Sequence, residues 1–120
     1  MSQHSETGKW GEALAVDFFA KKNFKIEATN WHWHNKEIDL IVSNQREIIF
    51  VEVKTRTAGV LAKPEEALTR AKQKHLLQAA NAYIIDHDIN KEARFDVITI
   101  WINGKQHNLK HTPNAFGPQW

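Results

Sequence analysis

Apolar and polar positions recur along this chain with two different periods, and the switches between them mark its elements. From about Ser5 to Lys22 the spacing is helical: Trp10, Leu14 and Phe18 form one stripe, and Ala15, Val16, Phe19 and Ala20 carry the apolar arc around the other side. The pattern predicts a helix with Ser5 or Thr7 as its N-cap and Asn23 as its stop. Glu12 falls inside the arc, on the face it shares with Ala15, Val16 and Phe19, so a carboxylate is directed inward. Phe24, Ile26 and Ala28 then alternate as in a half-buried strand, and the aromatic run Trp31-His32-Trp33-His34 leads into a second, Glu37-Ile38-Asp39-Leu40-Ile41-Val42. A turn at Ser43-Asn44-Gln45-Arg46 precedes Ile48-Ile49-Phe50-Val51-Glu52-Val53-Lys54, which is apolar on both faces until its last three residues and belongs in the middle of a sheet.

Thr55 to Lys63 reads as a loop containing Gly59, and Pro64 with Glu65 and Glu66 behind it predicts the first turn of a helix running to about Asp86. Lys72 sits near the middle of that helix's apolar arc of Leu68, Leu76, Ala79 and Tyr83. A strand over Phe95–Ile102 follows, and Asn103-Gly104 predicts a hairpin into a short strand through Leu109, with an irregular tail from about residue 110. The long helical connection between the central strand and Phe95 is a crossover, so those two strands are expected to be parallel and the first three antiparallel. The expected fold class is α/β, a mixed sheet flanked by helices in the order α-β-β-β-α-β-β, as one domain over residues 1–120.

Composition narrows the function. A chain of 120 residues with 42% hydrophobic and 25% charged positions has room for one compact domain. No stretch nears the roughly 20 apolar residues of a membrane helix, and the first ten residues lack the apolar middle of a secretory signal, so a cytoplasmic protein without a membrane partner is expected. The absence of cysteine excludes disulfides, thiolate zinc sites and cysteine nucleophiles, and leaves oxygen and imidazole as metal ligands. The net charge of +2 is too small to announce nucleic-acid binding, yet it is unevenly spread. Lys54, Arg56, Lys63, Arg70, Lys72 and Lys74 against Glu65 and Glu66 make that segment +4 and the remainder −2. Such a segment is either a solvated helix face or a phosphate-contacting surface.

Strand alternation places Glu37, Asp39 and Ile41 on one face and Ile48, Phe50, Glu52 and Lys54 on one face of the next strand. Desolvating an unpartnered carboxylate costs roughly several kcal/mol, so two acids in adjacent core-like strands imply a compensating cation. Asp39, Glu52 and the backbone carbonyl of Val53 are the oxygen donors that suit Mg²⁺ or Mn²⁺, and Lys54 arrives on the same side. Alone, Glu52 and Lys54 would read as a strand end reaching solvent, and Lys72 as a snorkelling lysine. Trp31 to His34 invites a His-x-His zinc pair, which lacks a third ligand at recognisable spacing, or a platform for stacked bases, though such tryptophans more often pack. Asp96 with Arg94 reads as structural. The chain has no Gly-rich phosphate loop, no Gly-x-Ser-x-Gly elbow and no Ser/His/Asp arrangement.

Asp39, twelve residues and then Glu52-Val53-Lys54 resembles the Asp…(Asp/Glu)-x-Lys signature of the restriction-endonuclease-like, PD-(D/E)xK, nucleases. Within that superfamily the chain looks like the YraN-like bacterial family, related to archaeal Holliday-junction resolvases. The match is carried by Gly8-x-x-Gly11-Glu12, Asn30-Trp31, Glu37-Ile38-Asp39-Leu40-Ile41, Phe50 to Arg56, Pro64-Glu65, Lys72, Ala79-Ala80, Arg94-Phe95-Asp96-Val97 and Asn114-Ala115-Phe116. Many members have glycine where this chain has Lys36. The resemblance implies a restriction-endonuclease-like core and a Mg²⁺- or Mn²⁺-dependent endonuclease acting on structured or branched DNA. Asp39, Glu52 and Val53 would hold the metal, Lys54 would orient water or offset charge, and Glu12 would be an additional acid. Arg56, Lys63, Arg70, Lys72 and Lys74 would contact nucleic acid, and two-strand cutting would call for a homodimer. The alternative is a nucleic-acid-binding module on the same fold with little or no catalysis.

Overall fold

A computed structural model describes residues 5–57 and 68–117. Its elements are α1 (Glu6–Lys21), β1 (Lys25–Trp33), β2 (Lys36–Ser43), β3 (Glu47–Thr57), α2 (Arg70–Asp86), β4 (Glu92–Asn103) and β5 (Gln106–Phe116), in the order α-β-β-β-α-β-β that the periodicity predicts. The five strands form one sheet with neighbours in chain order, so β3 is central. β3 and β4 are parallel across the α2 crossover, in register from Glu47↔Glu92 to Thr57↔Ile102, and every other pair is antiparallel. The mixed α/β architecture thus follows from the hydrophobic pattern.

The helices cover opposite faces of the sheet. Gly11, Ala15 and Phe19, spaced four apart, bury one stripe of α1 against Leu40, Val42, Ile49, Val51, Ile98 and Ile100. Leu76, Ala79, Ala80 and Tyr83 of α2 bury against Ile38, Ile41, Ile48, Phe50 and Phe95. The continuous apolar run of β3 serves both layers: Ile49 and Val51 face α1, Ile48 and Phe50 face α2, and all four are buried. Burying each such side chain is worth about 1.5–3 kcal/mol.

The helix ends have local causes. Ser5 is the N-cap of α1, its hydroxyl accepting from the Gly8 N–H at 3.0 Å. Asn23, with φ of 67°, ends the helix in the left-handed conformation that asparagine tolerates. α2 begins later than predicted: Thr69 is its N-cap, accepting from the Lys72 N–H at 3.1 Å, and Leu68 precedes it in non-helical backbone. A helix continuing from Pro64 to Asp86 is therefore corrected to Arg70–Asp86, because a capping hydroxyl at Thr69 closes the first turn there. Pro64, Glu65, Glu66, Lys63 and Gly59 lie outside the described residues.

β5 is also longer than its side chains suggest, extending to Phe116 where an irregular tail from about 110 is expected. Its few partly covered side chains carry a weak pattern, and it is held by its ladder to β4, by the Asn114 N–H donating to Asp96 at 3.0 Å, and by Phe116 stacked on Phe95 at 4.9 Å. Pro113 is tolerated because β5 is an edge strand. The hairpin at Asn103-Gly104 forms as predicted, with Gly104 at φ 62°.

The pleat of β1 and β2 slips by one position at a common point. Ala28 and Trp31 both pack towards α2, as do their partners Ile41 and Ile38, although residues three apart belong on opposite faces of a regular strand. The slip falls at Asn30, whose φ is 48°, and at Asp39, which the register sets opposite it. The expected sharing of one face by Glu37, Asp39 and Ile41 is corrected by this slip.

Candidate active site

The carboxylates meet where β2 and β3 part. The last pair of the β2–β3 ladder is Leu40↔Val51, and one residue further out the Asp39 Oδ2 takes the Val53 N–H at 2.8 Å, replacing the backbone bond that β2 no longer supplies. Asp39 is thereby aimed along the fork and not onto either helix layer. Glu52 projects from β3 on the α2 side, beside Ile48 and Phe50 in the alternation, and its carboxyl lies near enough to Asp39 for the Asp39 charge to act on it.

From the other side of the sheet α1 brings Glu12. Its approach depends on Gly11, which is buried: a Cβ at that position would overlap the Thr55 hydroxyl and lie 3.2 Å from both the Cβ and the Cγ2 of Thr55. Turning the Thr55 side chain cannot clear that contact, because its Cβ is fixed to β3. Glu12 Oε2 accepts from Asn30 Nδ2 at 3.2 Å, so the residue that breaks the pleat of β1 also holds the α1 carboxylate.

Together these side chains line a cleft of about 480 Å³ that includes Glu12, Glu37, Asp39, Glu52, Val53 and Lys72, with Ser5, Thr7, Thr55 and Thr57 at its margin. Lys72 reaches in from the first turn of α2, its Nζ 3.8 Å from Glu52 Oε1, while its side chain stays 46% exposed. It snorkels along the helix surface and is not buried in the apolar arc. Lys54 is half-buried, opposite Thr99, and near enough to Glu52 for its charge to be felt there, but it is not part of the cleft wall.

The electrostatics of the pair are unusual for surface acids. Burial pushes Glu52 up to about 8, the neighbouring Asp39 charge adds to that, and Lys72 and Lys54 pull the other way. Asp39 is pushed up to about 6, again mainly by burial; the Val53 N–H opposes this, and Glu37 and Glu12 reinforce it. Glu52 Oε2 is buried without a hydrogen-bond donor, the one such side-chain atom among the described residues. The two acids therefore titrate as a unit that retains a proton near neutrality. Among the described residues no three acidic or histidine side chains converge tightly enough to hold a metal ion, so any ion would rest on the Asp39–Glu52 pair with backbone or solvent oxygen.

The other residues singled out by sequence fall into separate places. Arg56 is exposed at the end of β3, its guanidinium donating to the Thr55 carbonyl, and Arg70 and Lys74 are exposed on α2; Lys63 lies outside the described residues. Trp31 packs edge-on to Tyr83 at 5.2 Å, and His32 pairs with Glu37 at 3.1 Å. Lys36 has unexceptional backbone, the left-handed residue of that hairpin being His34 at φ 57°. Two participants were not among the expected site residues. Asn30 was visible only as part of the Asn30-Trp31 motif, and Glu37 only as a residue near Asp39.

The comparisons with known proteins bear on the whole chain. The model of the uncharacterised protein family UPF0102 matches residues 11–100, which takes in Glu12, Asp39, Glu52, Lys54 and Lys72. The chain belongs to the UPF0102 family. It is 37% identical over 116 residues to UPF0102 protein FP2501 of Flavobacterium psychrophilum, covering 97% of this chain and 98% of that one. A UPF0102 protein of Geobacter metallireducens is 38% identical over 118 residues, covering 97% of each, and one of Porphyromonas gingivalis 36% identical over 118, covering 97% and 87%. The YraN-like resemblance is thereby borne out as family membership. No helix among the described residues is long and apolar enough to cross a membrane.

Proposed function

We propose that this UPF0102 protein is a metal-dependent nuclease of the restriction-endonuclease-like type, hydrolysing phosphodiesters of structured or branched DNA. The observation that carries the reading is the Asp39–Glu52 pair: two acids pressed together at a strand fork, one oxygen without a donor, in an open cleft. A purely structural role would waste this arrangement, since a buried carboxylate oxygen left without a donor costs stability. Acids held in an unfavourable state at a cleft are a mark of functional sites.

Mg²⁺ or Mn²⁺ fits the donors present, which are hard oxygens, and the unsatisfied Glu52 Oε2 is an oxygen that a cation would complete. Asp39, Glu52 and the Val53 carbonyl would hold it. Bound there, a divalent ion supplies the polarisation of the phosphate and the acidification of water that hydrolysis at neutral pH requires. Asp39 is steadied for this by the Val53 N–H, which donates to one of its oxygens and leaves the other to serve as a ligand. Lys72 and Lys54 offset negative charge around the pair, and Lys72, at the cleft wall, would meet a phosphate oxygen. The α2 first turn supports an anionic ligand as well: Arg70 and Lys72 stand at a helix N-terminus, where cations oppose the helix dipole and are disfavoured unless an anion is bound. Glu12 contributes a further carboxylate, steadied by Asn30. A cytoplasmic, dimeric protein acting on branched DNA is the setting in which such a site would work.

The test is cleavage of duplex, single-stranded and four-way-junction DNA with Mg²⁺ or Mn²⁺. Glu52→Gln and Lys54→Ala should each lose at least about a hundredfold in rate, the scale of losing a charge-stabilising or proton-handling group. Variants that cut as fast as the parent would assign the activity to a contaminant and end this reading. A second reading, a nucleic-acid-binding module without hydrolysis, is favoured by the absence, among the described residues, of three acidic or histidine side chains set to hold one ion together. It predicts salt-sensitive DNA binding with no metal-dependent product under any of these conditions.

A further inference from the structure

Three clefts adjoin in sequence through shared lining residues, and we propose that they form the path of an unpaired nucleic-acid strand leading away from the carboxylate site, with a seat for its bases between the β1–β2 hairpin and α2. The proposal takes its starting point from the nuclease reading above. The first cleft is the carboxylate one. The second, about 640 Å³, shares Glu37 and Lys72 with it and is further lined by His32, His34, Lys36 and His75. The third, about 810 Å³, shares His32 with the second; Trp31 and Trp33 wall it on one side, and Gln78, Asn81 and Ile85 on the other.

The chemistry changes along this path in the order a strand requires. The middle cleft offers two ammonium groups, of Lys36 and Lys72, and the imidazoles of His34 and His75 as donors to phosphate oxygens, His32 being turned to Glu37. Its acid, Glu37, is already engaged by His32 at 3.1 Å. Lys36 lies over the Trp33 ring, 5.3 Å from its centre, which sets a cation beside the aromatic wall. In the third cleft the charged groups give way to indole rings and carboxamides. Ile85, 71% exposed, is the large apolar side chain among the described residues that most needs a cover. Gln78 and Asn81 are exposed on α2, where their amides can meet the edges of bases whose faces lie against the indoles. Asp86 stands at the C-terminal end of α2 and limits the favourable stretch for an anion.

The occupant these features fit is single-stranded. In a duplex the base faces are stacked on one another and the pairing edges are used, so no face is open to an indole wall and no pairing edge to the carboxamides beside it. From Lys72 to Ile85 the helix spans about 20 Å at 1.5 Å per residue. That length matches about six stacked nucleotides at 3.4 Å each.

The experiment measures binding of fluorescent oligonucleotides in Ca²⁺: a blunt duplex, and the same duplex carrying unpaired tails of two, four, six and eight nucleotides. Affinity should rise with tail length, level off near six, and exceed the blunt duplex by tenfold or more. The double variant Gln78→Glu, Asn81→Asp changes two exposed helix positions and should abolish most of the tail-dependent gain while leaving the blunt affinity as it was. Trp33→Phe should keep more of that gain than Trp33→Ala. Equal affinity for tailed and blunt DNA in the parent protein would overturn the proposal. So would a double variant that weakens both equally, or one that dissolves a dimer in sedimentation without touching tail affinity, which would give the groove to a second copy. No turnover is needed for this measurement, so absent hydrolysis leaves it standing. Conversely, cleavage of blunt duplex with no tail dependence keeps the nuclease reading and removes this one.

Discussion

Asp96 and Glu52 stand one register position apart on adjacent parallel strands, since Asp96 faces Val51 across the ladder, and the fold treats them in opposite ways. Asp96 is fully buried and fully answered. Arg94 grips it bidentately at 2.9 Å on each oxygen, His111 Nε2 lies 2.7 Å away, and the Asn114 N–H donates at 3.0 Å. Burial alone would raise its pKa, but these partners overcome burial and hold it below its ordinary value. Glu47 in turn pairs with Arg94 at 3.2 Å, so the cluster ties β3, β4 and β5 together. Glu52, on the other face, has an orphaned oxygen and an acid for a neighbour. The contrast separates a carboxylate that holds the sheet together from one kept at a cost for another purpose.

The largest effect that could break this contrast is at the first of the two. Asp96→Ala removes the common partner of Arg94 and His111 and leaves a guanidinium poorly compensated, so it should destabilise the protein by about 3–5 kcal/mol in urea unfolding. A loss under about 1 kcal/mol would mean that the Asp96 cluster is no more structural than the Glu52 pair.

Glu52→Gln should move stability the other way. At pH 8 without added metal it removes a buried charge and gives Asp39 an amide donor, for an expected gain of about 1–3 kcal/mol. The sign follows from the raised pKa values. The folded parent holds protons on Asp39 and Glu52 that the unfolded chain has released, so its stability is greatest below about pH 4 for these groups and falls as pH rises through about 6 and 8. Chemical denaturation from pH 5 to 8 should show this fall at up to about 1.4 kcal/mol per pH unit for one proton, and Glu52→Gln should flatten most of it. An unchanged slope in the variant would contradict the assignment of the shared proton to this pair. Asp96 works in the opposite sense, its stabilisation being lost only as pH falls through its lowered pKa.

How much of this contrast the sequence discloses differs between the two acids. Glu52 is conspicuous because it interrupts an apolar run that otherwise reads as central strand, and Asp39 because apolar residues surround it. Their meeting is less visible. It depends on the Asn30–Asp39 pleat slip and on the Val53 N–H left unpaired by β2, both of them products of tertiary register that no local period encodes. Asp96 could be read as structural beside Arg94, but its ties to His111 and Asn114 required β5 to run past Leu109, where apolar alternation had already faded. At α2, the Thr69 hydroxyl caps the helix that ends at Asp86, a signal less conspicuous in the sequence than Pro64 and its two glutamates, which lie outside the described residues. The basic segment was legible as charge but not as position: of its members in the described residues, Lys72 lines the carboxylate cleft, while Lys54, Arg56, Arg70 and Lys74 stand outside its wall.

A smaller effect sharpens the metal side of the comparison. If Asp39 and Glu52 hold Mg²⁺, the ion binds the folded chain and should stabilise it by about 1.4 kcal/mol at ten times its dissociation constant. The effect should be larger at pH 8 than at pH 5, because the pair must give up its proton to bind. Chelator should reverse it, and Glu52→Gln should abolish it. A metal-dependent shift that survives in Glu52→Gln would place the ion elsewhere.

The smallest expected change in stability is at Lys72, and it tests whether the cleft's cation serves the fold or a ligand. Its ammonium is 3.8 Å from Glu52 but nearly half exposed, so water screens the pair and its worth to folding is about 0–1 kcal/mol. Lys72→Gln keeps most of the aliphatic stem over the helix surface and removes the charge that helps draw the proton off Glu52. Stability at pH 7 should therefore change by less than about 1 kcal/mol, with Glu52 shifted further up. A residue of so little structural value can still matter to a phosphate, because each lost phosphate contact lowers affinity for every DNA sequence alike and makes the dependence of log affinity on log salt shallower by about one unit. Filter binding of the parent and Lys72→Gln between low and moderate salt measures that slope directly. Equal slopes with a large loss of stability would turn Lys72 into a structural partner of Glu52, and the two acids of this sheet would then differ less than their surroundings imply.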